Sequence, residues 1–176
     1  MAYKYILAPT DFSDPSNHAL HYAFAEAEQH HAALTLLHVL PHEVTTEVYY
    51  VHGALEARTG IEEVAFGRAG FDPESGSALP LPKAPAPETI RRYLDEEALE
   101  KLREQVPDSF KGMWDATVTT GKAADTILQT AQEQKVDLIV MGTHGRTGLS
   151  HTLFGSVAEA VMRHARCPVL MVRHAG

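Results

Sequence analysis

In Leu138-Ile139-Val140-Met141-Gly142-Thr143-His144-Gly145, four consecutive apolar side chains run into a Gly-x-x-Gly turn. A run with no polar face suits a strand covered on both sides, as the strands of parallel sheets are. Outward from it, similar runs stand at Tyr5-Ile6-Leu7-Ala8 before Pro9, at Leu34-Thr35-Leu36-Leu37-His38-Val39 before Pro41, and at Val169-Leu170-Met171-Val172. A further strand is expected at 115–119. Between them the spacing becomes helical. Leu20, Ala23, Phe24 and Ala27 fall at i, i+3, i+4 and i+7 behind Ser13 or Asp14 as N-cap and Pro15 in the first turn. Ala124, Ile127, Leu128 and Ala131 make a second face, and Val157, Ala160, Val161 and His164 a third. Strands alternating with helices predict an α/β fold, a doubly wound five-stranded parallel sheet.

Residues 41–87 break this rhythm. A helix is expected at 44–57, but 67–87 holds three glycines and five prolines, the composition of loop or linker. Helical spacing returns over 88–106 with Ile90, Leu94, Ala98, Leu99 and Leu102, the crossover from the second strand to the third. About 45 residues are few for an independent core, so 41–87 reads as an insertion, partly helical and partly loop or disordered, within one domain spanning 1–176.

Composition narrows the function. The chain has 176 residues, 44% hydrophobic and 22% charged, with a formal charge of −8, which argues against nucleic acid or anionic lipid as partner. No stretch approaches a membrane span, and the start lacks the apolar core of a signal peptide. Cys167 is alone, so neither a disulfide nor a cysteine zinc site is available. A cytoplasmic location is expected.

The chemistry lies in Gly142-Thr143-His144-Gly145, nine residues, then Gly155-Ser156. Gly142 and Gly145 are expected to supply positive φ and absent bulk, so that backbone N–H groups converge on an anion. Gly155-Ser156 opens the last helix, where unpaired N–H groups, the dipole and a hydroxyl point the same way. Together they suggest a phosphate cradle at the carboxyl end of a strand, where open α/β sheets bind ligands. The first turn, Pro9-Thr10-Asp11-Phe12-Ser13, lacks the glycines of a dinucleotide fold, and Gly121-Lys122 lacks the rest of a Walker loop. Asp11 has two readings open: it caps the first helix, or it faces the glycine loop and holds ribose hydroxyls or a divalent cation.

The segments Ile6-Leu7-Ala8-Pro9-Thr10-Asp11-Phe12-Ser13, Asp137 through Arg146, and Gly155-Ser156-Val157-Ala158 to Cys167-Pro168-Val169 resemble the universal stress protein family, in its ATP-binding branch. The resemblance covers roughly 3–40 and 88–174. It implies a Rossmann-like sheet of order 3-2-1-4-5 binding ATP, or ADP or AMP, with Mg²⁺ or Mn²⁺. Adenine would lie along His38, Val39 and Leu40, and ribose near Pro9, Thr10 and Asp11, with Asp11 reaching the nucleotide-bound metal. The phosphates would meet the glycine loop, Met141, Gly142, Thr143, His144, Gly145 and Arg146, and then Gly155, Ser156 and Val157. The 41–87 insertion departs from the compact members and bears on the adenine side.

The remaining histidines, such as His18 with His21, lack a completed ligand set and read as surface residues. The apolar edge strand Val169-Leu170-Met171-Val172 predicts a homodimer, as the resemblance does. With no general base in view, the expected function is a regulatory, stress-response nucleotide switch. Slow ATP hydrolysis or autophosphorylation at Ser156 or Thr147, and an interaction module without nucleotide, are the alternatives.

Overall fold

The computed structural model describes residues 2–41, 87–143 and 154–173. Most of the 41–87 insertion, and the loop residues His144, Gly145, Arg146 and Thr147, lie outside the described residues. The chain divides into two compact units, Met1–His42 with Asp95–Gly176, and Glu43–Leu94. Of the second unit the description covers 87–94, the opening turns of a helix in which Ile90 and Leu94 are buried.

The elements follow in the order β1 (Tyr5–Pro9), α1 (Asp14–His30), β2 (Ala33–Leu40), α2 (Pro87–Glu104), β3 (Trp114–Thr120), α3 (Ala123–Glu133), β4 (Leu138–Gly142), α4 (Ser156–His164) and β5 (Val169–Val172). Every strand pairing is parallel and the sheet order is β3-β2-β1-β4-β5, the α/β architecture expected. β1 lies between β2, with Leu7 opposite Thr35, and β4, with Leu7 opposite Ile139.

The apolar runs divide their side chains between two cores. Ile6, Ala8, Leu34, Leu36, Leu138 and Val140 face one, together with the Leu20, Ala23, Phe24 and Ala27 stripe of α1. Leu7, Leu37, Ile139 and Met141 face the other, with Ile127 and Ala131 of α3 and Ala158 and Val161 of α4. The period of two is thus present within sequences that look continuously apolar. Each fully buried Leu or Ile contributes about 1.5–3 kcal/mol by its removal from water.

Local chemistry sets the helix ends. Ser13 is the N-cap of α1, its hydroxyl accepting from Ser16 N, and Pro15 occupies the first turn. His31 closes the helix in the left-handed region at φ 53°. In α4 the buried stripe is Ala158 and Val161; Val157 and Ala160 are half-buried and His164 is exposed, because the helix ends there and the chain turns toward β5. At the amino end of the sheet, Asp137 accepts from Lys4 N (2.7 Å) and Tyr5 N (3.0 Å) and so joins the starts of β1 and β4.

Candidate functional site at the switch point

From β1 the chain passes into α1 over one core, and from β4 into α4 over the other. The carboxyl ends of these two neighbouring strands therefore diverge, and a crevice opens between them. Its volume is about 330 Å³. Leu37, Val39, Ala123, Ile127 and Met141 give it apolar walls, while Thr10, Asp11, Ser16 and Ser156 bring polar side chains. Pro9, Gly142, Gly155, Val157 and Ala158 complete the lining.

Of the residues named from the sequence, Pro9, Thr10, Asp11, Val39, Met141, Gly142, Gly155, Ser156 and Val157 line this crevice. His38 and Leu40 are buried and outside the lining. Thr143 is a buried tie: its N–H donates to Val172 O at 3.0 Å and its carbonyl accepts from Gly155 N at 2.8 Å. That pair of bonds sets the start of α4 against the end of β4. Gly142 differs from expectation. It is the last residue of β4, in extended conformation, and among the described glycines only Gly121 has positive φ. What glycine supplies at 142 is the missing side chain in the crevice lining.

The start of α4, like that of α3 at Lys122, has no side-chain cap. Gly155 has φ −70° and ψ 157°, a geometry any residue adopts, yet it brings no side chain to the first-turn amides. Serine, threonine, aspartate or asparagine would normally accept from them. The first-turn N–H groups and the positive end of the helix dipole therefore lie beside the crevice without a capping oxygen from the N-cap residue.

Opposite, the β1–α1 turn is a chain of hydroxyls whose protons can be followed. Ser16 Oγ donates to Ser13 O at 2.9 Å, so Thr10 Oγ1 is the donor in its 2.9 Å contact with Ser16 Oγ. Thr10 Oγ1 in turn accepts from Phe12 N at 3.0 Å. Ser13 gives both its hydroxyl and its N–H to Asp11 Oδ1. Asp11 does not cap α1, a role Ser13 fills; one of its oxygens organises the turn instead, and the residue lines the crevice. With these protons committed within the chain, this side is rich in acceptors, whereas the α4 side is rich in donors.

Ser16, Leu37, Ala123, Ile127 and Ala158 join the lining without having been singled out from the sequence. Ser13-x-x-Ser16 carries a signal, but it reads as helix capping, which Ser13 does perform. Leu37, Ile127 and Ala158 read as core, and they are. A second, wider groove of about 580 Å³ lies among α3, the turn after it and the residues following α4, and includes Lys135, His164, Arg166 and half-buried Cys167. Burial pushes the Cys167 thiol above its ordinary range; the Asp137 charge adds to this, and main-chain N–H groups at Cys167 and Ile139 oppose it. Among the described residues no group of three or more histidine, cysteine or carboxylate side chains is placed to hold a metal, and no helix is long and apolar enough to cross a membrane.

Known proteins of this architecture place the crevice in context. Universal stress protein MJ0531 of Methanocaldococcus jannaschii is 34% identical over 97% of this chain and 82% of its own length. The solved structure of the M. jannaschii protein MJ0577, 25% identical, superposes with a TM-score of 0.70 over 100% of this chain and 99% of that one. Two more distant structures share the fold and hold nucleotides. One is a universal stress protein in complex with cAMP (TM-score 0.58, 20% identical, 98% of both chains). The other, from Archaeoglobus fulgidus, is in complex with dAMP (TM-score 0.52, 19% identical, 98% of this chain and 99% of that one). The universal stress protein family model itself matches residues 2–173, and the chain belongs to that family.

Proposed function

We propose that this protein binds ATP at the switch-point crevice and acts as a regulatory, stress-response nucleotide-binding homodimer. The observation that carries the reading is the polarity of the crevice: apolar walls, an acceptor-rich turn on one side and a bare helix N-terminus on the other. A nucleotide has the matching parts, a flat apolar base, hydroxyls that donate, and an anionic tail. Val39, Ala123, Ile127 and Met141 suit the base, Asp11 the ribose hydroxyls, and the first-turn amides of α4 with Ser156 the phosphates. Asp11 is also the carboxylate best suited to a nucleotide-bound Mg²⁺, which would neutralise phosphate charge. The cAMP and dAMP complexes of proteins sharing the fold support an adenine nucleotide.

The dimer reading rests on β5. Ile139 N donates to Pro168 O and Thr143 N to Val172 O, so in a parallel ladder the even residues of β5 bond to β4. The main-chain groups of Val169 and Met171 then face away from β4, along an apolar edge suited to a second copy.

Titration calorimetry of the purified chain with Mg-ATP tests the nucleotide reading, alongside mass spectrometry of small molecules released on denaturation. Saturable one-site binding, lost on filling the crevice with Ala123→Phe, is expected. Absence of binding at millimolar Mg-ATP, with no released nucleotide, overturns it.

A further inference from the structure

Phe12 has φ 63°, a conformation that a bulky side chain adopts only when its surroundings hold it there. The holder is on β2. Leu37 and Val39 line the crevice, so His38 between them projects to the opposite face, where it is buried. Its Nδ1 lies 2.8 Å from the carbonyl oxygen of Thr10. A carbonyl only accepts, so the ring donates from Nδ1. The imidazole also packs against the Phe12 ring, centroids 4.4 Å apart with the planes 33° from parallel.

Thr10 N already donates to Leu37 O at 2.9 Å. Both main-chain groups of Thr10 are therefore held by β2, the N–H by the strand ladder and the carbonyl by a side chain from the far face. That carbonyl belongs to the peptide joining Thr10 to Asp11, so its orientation sets the direction in which Asp11 leaves the strand. Phe12 N on Thr10 Oγ1 and Ser13 N on Asp11 Oδ1 then complete the turn.

We propose that His38 is a positioning residue of the nucleotide site: without touching ligand, it fixes the Thr10–Asp11 peptide and hence the Asp11 carboxylate at the crevice. This rests on the nucleotide reading above, and its test separates the two. Mg-ATP affinity is measured by calorimetry for wild type, His38→Leu, His38→Asn, Asp11→Ala and the His38→Leu/Asp11→Ala double variant. Asparagine offers an amide N–H at about the place of Nδ1 and leucine offers none. His38→Leu is expected to weaken binding about tenfold and His38→Asn less than about threefold. In the Asp11→Ala background the leucine substitution should add less than about twofold, because the group it positions is gone.

Equal loss in both backgrounds would mean a general structural role and overturns the proposal. Should wild type bind no Mg-ATP, the nucleotide reading falls, and the clamp is judged on the ligand-free protein by amide hydrogen exchange. His38→Leu should then accelerate exchange at Phe12 and Ser13 by at least about tenfold relative to Ile139 in β4, with His38→Asn close to wild type. Unchanged protection at Phe12 and Ser13 in His38→Leu refutes the clamp.

Discussion

Replacing Gly155 by aspartate should make the protein more stable and sharply weaken the proposed nucleotide binding. The backbone at 155, φ −70° and ψ 157°, is already that of an N-cap, so an L residue enters without strain. Its main-chain bond to Thr143 O is kept. The new carboxylate accepts from first-turn amides, worth a few tenths of a kcal/mol over glycine. It also meets the positive end of the α4 dipole, worth about 0.3–1 kcal/mol. A gain near 1 kcal/mol corresponds to a rise of about 3 °C in Tm for a chain of this length. The same carboxylate occupies donors assigned to phosphate, and each charge-assisted bond forfeited costs about 1.5–3 kcal/mol. Affinity for Mg-ATP should fall by more than about a hundredfold. Thermal scanning and calorimetry on one preparation read both effects. Gly155→Asn, a cap without charge, should stabilise while weakening ATP less, and Gly155→Ala should lower Tm while leaving affinity within a few-fold. Wild-type ATP affinity in Gly155→Asp would refute the phosphate assignment; a lowered Tm would refute the capping geometry.

Other substitutions test other parts. Asp11→Ala removes the acceptor of Ser13 N and Oγ and the carboxylate of the crevice, so a loss of about 1 kcal/mol in urea unfolding should accompany at least about tenfold weaker binding. Asp137→Ala cuts both bonds from Lys4 N and Tyr5 N at the opposite end of the sheet, costing about 1–3 kcal/mol in urea unfolding with Mg-ATP affinity unchanged. Met171→Pro deletes an N–H that faces away from β4, and light scattering should then report the 19.3 kDa monomer where wild type gives twice that mass. Cys167 should alkylate more slowly than a free thiol at neutral pH. Since folding raises its pKa, the folded state holds its proton more firmly, and stability should be level below the ordinary thiol range and decline as pH rises through and beyond it.

The sheet could be read from the sequence because its signals are redundant: runs such as Ile6–Ala8 and Leu138–Met141 fit only doubly covered strands, and prolines or glycines stop them. The crevice lining was readable where chemistry and punctuation coincide, at Pro9-Thr10-Asp11 and Gly155-Ser156. Its apolar half was less so, since Val39 and Met141 are named for the site only through the family resemblance and Leu37, Ala123 and Ile127 not at all. Leu37, Ile127 and Met141 line the crevice and belong to a core cluster at once, and nothing in a residue's type or spacing distinguishes a core wall from a pocket wall. His38 shows the same limit. The alternation of β2 turns its ring away from the crevice, so sequence proximity to the proposed adenine site and influence on the opposite turn are consistent only once the register of β1 on β2 is known.

The two ends of the sheet hold their turns differently, and the difference bears on the proposed site. At the amino end, Asp137 takes two strand amides and its own N–H reaches Tyr5 O at 2.8 Å, and the residues at positive φ there, His31 and Lys135, sit in helix-ending turns where that conformation is common. At the carboxyl end a phenylalanine is held at positive φ, a cost of about 1–2 kcal/mol. There too a helix starts on glycine where a capping side chain would stabilise it by a few tenths of a kcal/mol or more. Gly155 lines the crevice, and Phe12 follows Asp11, which lines it too. A side-chain cap at 155 is available by single substitution, and under the proposed function a bound anion is the partner that glycine leaves room for. It follows that stabilising changes at the amino end should leave nucleotide affinity intact, whereas those at the start of α4 should trade against it, and a stabilised variant at position 155 that still bound ATP normally would break that link.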